Sequence, residues 1–212
     1  MIDKLGIIPA AGRANRFEGI LKELLPLHDC VTLLKHSLNA MLHVNADAVL
    51  LVTNRDKLAT HSNHLHQWRV YYAVQLDHND LWGAICESLP IHGRMNYFAM
   101  PDTYYPVNIF EGCTDNFCIN WFETEQPEKY GVLTEQGIID KEPLGKGKHK
   151  AWGTLAWSSR VAEFWIKNIN RIKNHTHAFN MAIDEFGFTL KKMDYYNDLA
   201  TMSDYQELLH HV

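Results

Sequence analysis

Short apolar runs alternate with segments of helical spacing through the first half of the chain. Leu5-Gly6-Ile7-Ile8 is apolar and stops at Pro9, and the Ala- and Gly-rich stretch behind it reads as a loop entering a helix. Apolar residues at Val31, Leu34, Leu38, Met41 and Leu42 have helical spacing, with Asp29 and Thr32 as candidate caps. Residues 48–52 form a continuous apolar run, as expected of a strand covered on both faces. A helix over 57–68, a strand over 70–74, a helix over 81–89 ended by Pro90 and a strand over 96–100 ended by Pro101 repeat the pattern.

Such alternation predicts an α/β fold: a doubly wound, mostly parallel mixed sheet with helices on both faces, Rossmann-like, binding ligands at the carboxyl ends of its strands. The second half is less regular. Strands are expected over 131–133, 137–139 and 151–157, helices over 161–172 and 178–186, and a late strand over 189–193, an order that suggests a small antiparallel insertion. No repeat, low-complexity tract or linker divides the chain. Residues 1–212 therefore read as a single domain, with a regular half over 1–102, a less regular half over 103–212 and a change of texture between 105 and 130.

Composition narrows the function. A hydrophobic share of 46% with 21% charged residues describes a globular chain. The net charge of −5 argues against nucleic-acid binding, and the basic run Lys146-Gly-Lys148-His-Lys150 reads as a solvated loop. The first apolar run is too short for a signal segment or a membrane span, so a cytoplasmic protein without a membrane partner is expected. The four cysteines lack disulfide spacing and read as free thiols; Cys113 and Cys118, five apart, lack the companions of a metal site. His61, His64 and His66 lie in a polar context and read as exposed, and none is taken as a ligand. Trp82, Trp152 and Trp157 read as core. A closed symmetric homodimer is the default for assembly.

Chemistry enters at Pro9-Ala-Ala-Gly-Arg-Ala-Asn-Arg16. Small residues after a first strand let backbone N–H groups approach phosphates, with Arg16 as a charge able to reach them. Six residues on comes Lys22-Glu-Leu-Leu-Pro26. Together the two pieces resemble the signature of the sugar nucleotidyltransferase family, which includes glucose-1-phosphate thymidylyltransferase and UTP–glucose-1-phosphate uridylyltransferase. Ala14 and Asn15 replace the family's second Gly and its Thr.

Further segments extend the resemblance in the same order. Gln75 and Asp80-Leu-Trp-Gly resemble the base-reading element, with Asp80 where Gly is usual. Phe98-Ala-Met-Pro-Asp102 resembles the strand whose Asp binds magnesium, and Tyr130-Gly131-Val-Leu the strand that approaches the sugar. Asp140-Lys141-Glu-Pro143, with Gly153 beyond, resembles the element meeting sugar hydroxyls and phosphate; Tyr196-Asn-Asp198-Leu-Ala-Thr201 resembles the element carrying the second magnesium ligand.

The resemblance implies a nucleotide-diphospho-sugar transferase-like fold and attack of a sugar-1-phosphate on a nucleoside triphosphate, dTTP or UTP favoured. It implies that Ala10, Ala11, Gly12, Gln75 and Asp80 bind nucleotide, that Tyr130, Gly131, Asp140, Lys141 and Gly153 bind sugar phosphate, and that Asp102 and Asp198 hold Mg2+. Arg16, Lys22 and Asp102 would be catalytic. Such chemistry needs positioning and charge neutralisation rather than a general base, because the attacking phosphate is already ionised. Two alternatives stand beside it: a cytidylyltransferase acting on another phosphorylated alcohol or acid, and a non-catalytic nucleotide- or sugar-binding relative, suggested by Ala14, Asp80 and Ala200. Asp204 is expected to cap a final helix.

Overall fold

The computed structural model describes residues 2–12, 20–27, 31–76 and 80–211. The first strand, β1 (Lys4–Pro9), shows why the fold is doubly wound. Leu5 and Ile7 enter one core cluster and Ile8 the other, so the strand is covered on both faces. A Cβ on Gly6 would lie 2.7 Å from Met41 Cγ, so the glycine lets α1 (Leu33–His43) settle against the strand. Strands β2 (Ala48–Thr53), β3 (Val70–Val74) and β4 (Met95–Phe98) run parallel to it in the order β3-β2-β1-β4.

Helices α1, α2 (Arg55–His64) and α3 (Leu81–Ser88) make the crossovers. Each starts on a side-chain cap: Thr32, Asn54 and Asp80 accept from the backbone N–H of Lys35, Lys57 and Gly83. The expected helix over 57–68 therefore begins earlier and ends at His64. Of the candidate caps Asp29 and Thr32, Thr32 serves, while Asp29 lies outside the described residues.

Beyond β4 the sheet turns mixed. The strands β6 (Phe117–Thr124) and β9 (His149–Ser158) pair antiparallel, β9 also pairs antiparallel with β4, and β10 (Thr189–Lys192) lies parallel to β6. The hairpin β7 (Gly131–Thr134) and β8 (Gly137–Asp140) extends from β9, giving a sheet of nine strands among the described residues. β6 escaped the sequence pattern because Asn120 interrupts its apolar run. That side chain is fully buried and donates to Thr154 Oγ1 on β9, so it belongs to the core.

Helices α4 (Ser159–Asn168) and α5 (His175–Phe186) cover this half. A separate two-strand ladder joins β5 (Thr103–Tyr104) to β11 (Asn197–Asp198), and α6 (Met202–His211) follows.

Several expectations need correction. Lys146 to Lys148 lie in a loop, but His149 and Lys150 open β9, with Lys150 Nζ 4.9 Å from the centre of the Trp121 ring. Of the three histidines read as exposed, only His66 is; His61 is fully buried and His64 is half-buried, bonded to Thr32 Oγ1. Asp204 is not the cap of α6. Its carboxylate accepts from the Thr201 N–H and hydroxyl, while Thr201 Oγ1 accepts from the Asp204 N–H, the reciprocal capping box in which Thr201 is the cap. Cys113 and Cys118 are buried free thiols 2.9 Å apart, and no group of three or more metal-binding side chains occurs among the described residues. No helix among the described residues is long and apolar enough to cross a membrane.

Candidate active site

In the parallel half the chain steps from β1 to β2 to β3 on one side, then returns to place β4 on the other side of β1. Such a reversal opens a crevice at the carboxyl ends of the two strands. Ala10, Ala11 and Gly12 leave β1 at that crevice, and Asp102 follows β4 into it. Pro9, Ala10, Gly12, Lys22, Glu23, Lys57, Met100, Pro101 and Asp102 enclose a cavity of about 140 Å3 there. Arg16, with Ala14 and Asn15, lies outside the described residues.

Lys22 stands on a single 3-10 turn, Lys22–Leu24, and donates to Asp102 Oδ2 at 2.6 Å and to the Leu199 carbonyl at 3.0 Å. One lysine thus links the end of β4 to the segment behind β11. That segment is drawn in by the β5–β11 ladder, where Asp198 lies opposite Thr103, and by the Leu199 N–H donating to the Asp102 carbonyl. Asp102 and Asp198, from opposite halves of the sequence, become neighbours. Burial raises the Asp198 pKa to about 6, the negative charge of Asp102 adds to the rise, and Lys22 opposes it. A pair of crowded carboxylates with an all-oxygen donor set fits a small hard cation such as Mg2+, which takes few protein ligands and several from phosphate and water.

Gln75, which the resemblance assigns to the base, is buried. Its backbone N–H continues the β2 edge by donating to the Thr53 carbonyl, and its amide donates to the Asp80 carbonyl at 3.2 Å. The Asp80 carboxylate is already engaged, accepting from the Gly83 N–H at 2.7 Å as the cap of α3. Asp80, standing where the family it resembles has glycine, thus has a local structural use.

The β7–β8 hairpin gathers the residues assigned to the sugar phosphate. Gly131 pairs with Asp140, and the Lys141 N–H donates to the Tyr130 carbonyl while Lys141 holds a φ of +52°. The two glycines serve packing. A Cβ on Gly131 would come within 2.1 Å of Trp152 Nε1, and one on Gly153 within 2.7 Å of the Tyr196 ring. Tyr130 and Asp198 also border a cavity of about 560 Å3 with Tyr104, Tyr195 and Tyr196.

Sequence reasoning missed His175. At the start of α5, its Nε2 lies 3.8 Å from Asp140 Oδ2 and its ring packs against Trp152. Burial lowers the His175 pKa, with the Asp140 charge pulling the other way. A single histidine opening an amphipathic helix carries no sequence signal for such a place.

A buried polar network beneath the loop was missed as well. Lys57 Nζ donates to Glu23 Oε1 at 2.7 Å and to the Ala10 carbonyl at 3.2 Å; His61 Nε2 lies 3.0 Å from Glu23 Oε1 and its Nδ1 2.9 Å from Thr53 Oγ1. Asn54 Nδ2 donates to the Ala11 carbonyl at 2.8 Å. The i, i+4 spacing of Lys57 and His61 on α2 puts both on one helix face, and that spacing was the available clue.

Comparison with known proteins supports the fold. Residues 6–85 match the model of the MobA-like NTP transferase domain. A Bacillus anthracis protein provisionally named a glucose-1-phosphate thymidylyltransferase, solved in complex with sucrose, superposes with a TM-score of 0.81 at 16% identity, over 98% of this chain and 94% of that one. Both findings support the resemblance to nucleotidyltransferases. At that identity the nucleotidyltransferase fold is what the superposition establishes, and the matched domain supports NTP transfer in general. It includes the loop, Lys22, Gln75 and Asp80, whereas Asp102, Lys141 and Asp198 lie beyond it. No functionally curated protein matches the sequence.

Proposed function

We propose that this chain joins a sugar-1-phosphate to a nucleoside triphosphate, dTTP or UTP favoured, releasing pyrophosphate. The observation that carries the reading is the meeting of Asp102 and Asp198 beside the loop after β1, with Lys22 bonded to Asp102 and to the Leu199 carbonyl. In the reaction an oxygen of the sugar phosphate forms a bond to the α-phosphorus, and the bond from that phosphorus to the bridging oxygen breaks. Its electron pair leaves with pyrophosphate.

Lys22 holds the triphosphate, Arg16 meets charge building on the leaving group, and Lys141 steadies the incoming phosphate. Asp102 and Asp198 would hold Mg2+, which supplies neutralisation of phosphate charge when bound. Ala10, Ala11 and Gly12 contact phosphate, Gln75 and the Asp80 backbone lie toward the base, and Tyr130, Gly131, Asp140 and Gly153 form the sugar side. Residues 1–102 and 103–212 act as one unit, since each half supplies one of the two carboxylates.

The test is a pyrophosphate-release screen of the common nucleoside triphosphates against sugar-1-phosphates with magnesium, with Asp102→Asn as control. Turnover of dTTP or UTP that disappears in the control is the expected result. Release from no pair overturns the enzymatic reading, and a preference for CTP moves the assignment to a cytidylyltransferase with a different phosphorylated acceptor.

A further inference from the structure

Two carbonyls of the loop after β1 are held from behind by α2. Lys57 Nζ donates to the Ala10 carbonyl and Asn54 Nδ2 to the Ala11 carbonyl. In a planar trans peptide the carbonyl and the N–H that follows it point in opposite directions. Holding those two carbonyls toward α2 therefore turns the N–H groups of Ala11 and Gly12 away from it. Ala10 and Gly12 both border the cavity shared with Lys22 and Asp102, and a Cβ built on Gly12 meets no atom of the described residues within 4 Å.

We infer that Asn54 and Lys57 are positioning residues that aim the Ala11 and Gly12 N–H groups at the phosphates of the nucleotide; this rests on the proposed triphosphate site. Lys57 is suited to the task because it cannot swing away. Only 7% of it is exposed, and Glu23, itself bonded to His61, holds its charge in place. Glu23 follows Lys22 on the same short turn, so the anchor that fixes Lys57 also fixes the base of the lysine facing Asp102.

Asn54 does two jobs with two atoms: Oδ1 accepts from the Lys57 N–H at 3.0 Å and caps α2, while Nδ2 holds the loop. Serine preserves the first function and removes the second without adding charge. That separation makes the inference testable apart from stability.

The experiment measures binding of inorganic tripolyphosphate with magnesium by calorimetry, thermal midpoints, and KM values for nucleotide and acceptor, in wild type and Asn54→Ser. Tripolyphosphate binding is expected to weaken ~10-fold and the nucleotide KM to rise similarly, as for a lost hydrogen bond to a charged group. The acceptor KM should stay level, with the midpoint within about 2 °C of wild type. If Asn54→Ser proves unstable, Asn54→Thr keeps a hydroxyl cap, likewise adds no charge and still lacks the amide donor, and the same weakening is expected. Tripolyphosphate affinity equal to wild type in either variant overturns the inference alone. A wild type that does not bind tripolyphosphate overturns both the inference and the phosphate site. Weakened binding in the variants of a protein that turns over no nucleotide–acceptor pair supports the positioning role and removes the proposed reaction.

Discussion

Lys22 and Glu23 are consecutive residues, and each belongs to a different kind of ion pair. Lys22 meets Asp102 at 2.6 Å with both side chains about 20% exposed, in a place where a second carboxylate, Asp198, crowds the first. Glu23 meets Lys57 at 2.7 Å with 5% and 9% of the side chains exposed, and His61 completes its hydrogen bonding. One pair is partly exposed at a crevice and has a second carboxylate beside it. The other is nearly sealed from water and satisfied from several sides. On the proposed function, the contrast separates charge kept for a ligand from charge that holds a loop, although the two pairs share one turn of backbone.

Breaking the first pair should give the largest effect. Asp102→Asn is expected to reduce nucleotidyl transfer by ~10^2 to 10^3-fold, the scale for losing one preorganised electrostatic contact, as measured by pyrophosphate release. Its thermal midpoint should not fall, because removing one of two crowded carboxylates relieves repulsion.

Breaking the second should do the reverse, acting first on folding. Glu23→Ala leaves the Lys57 charge buried without its partner, an arrangement that costs about 3–5 kcal/mol. For a chain of this size that corresponds to a fall of roughly 10 °C in thermal midpoint, read by calorimetry.

A pH series sharpens the comparison further. Burial alone would raise the Glu23 pKa, but the His61 hydrogen bond and the Lys57 charge together outweigh it and hold the group below its ordinary value of 4.5. A lowered folded-state pKa gives stability that is present above 4.5 and is lost as the pH falls through the folded value. The stability gap between wild type and Glu23→Gln should therefore be widest at neutral pH and narrow below about pH 4.5 in acid titrations of chemical denaturation. The smallest effect is expected at a site outside both pairs: Thr201→Ala removes one side of the capping box on α6 and should cost about 1 kcal/mol by denaturant unfolding, with activity largely retained.

Legibility in the sequence followed the same division. The parallel half was readable because its apolar runs and helical spacings are local, and the strands β1 to β4 stand where the pattern puts them, within a residue or two. The motif residues Lys22, Asp102 and Asp198 were readable as types in order, but their meeting depends on the β5–β11 ladder, two residues long on each side and without any periodic signal. Glu23, Asn54, Lys57 and His61 were unreadable as a group. Polar residues on a polar helix suggest exposure, and only the packing of α2 under the loop reverses that reading. His61 was taken for a surface residue for this reason. Asn120 hid β6 in the same way, as a polar residue whose hydrogen bond admits it to the interior.

The β5–β11 ladder also bears on how the protein is made. During synthesis β1 to β4 can emerge and pair long before residues 197 and 198 leave the ribosome. The second carboxylate arrives only with that late segment, and Leu199, Tyr205 and Leu208 then pack against Leu25 and Leu33 to hold it. A nascent chain can thus present the crevice beside β1 and β4 while still lacking half of its proposed metal-holding pair, which would be complete only after α6 has left the ribosome and packed.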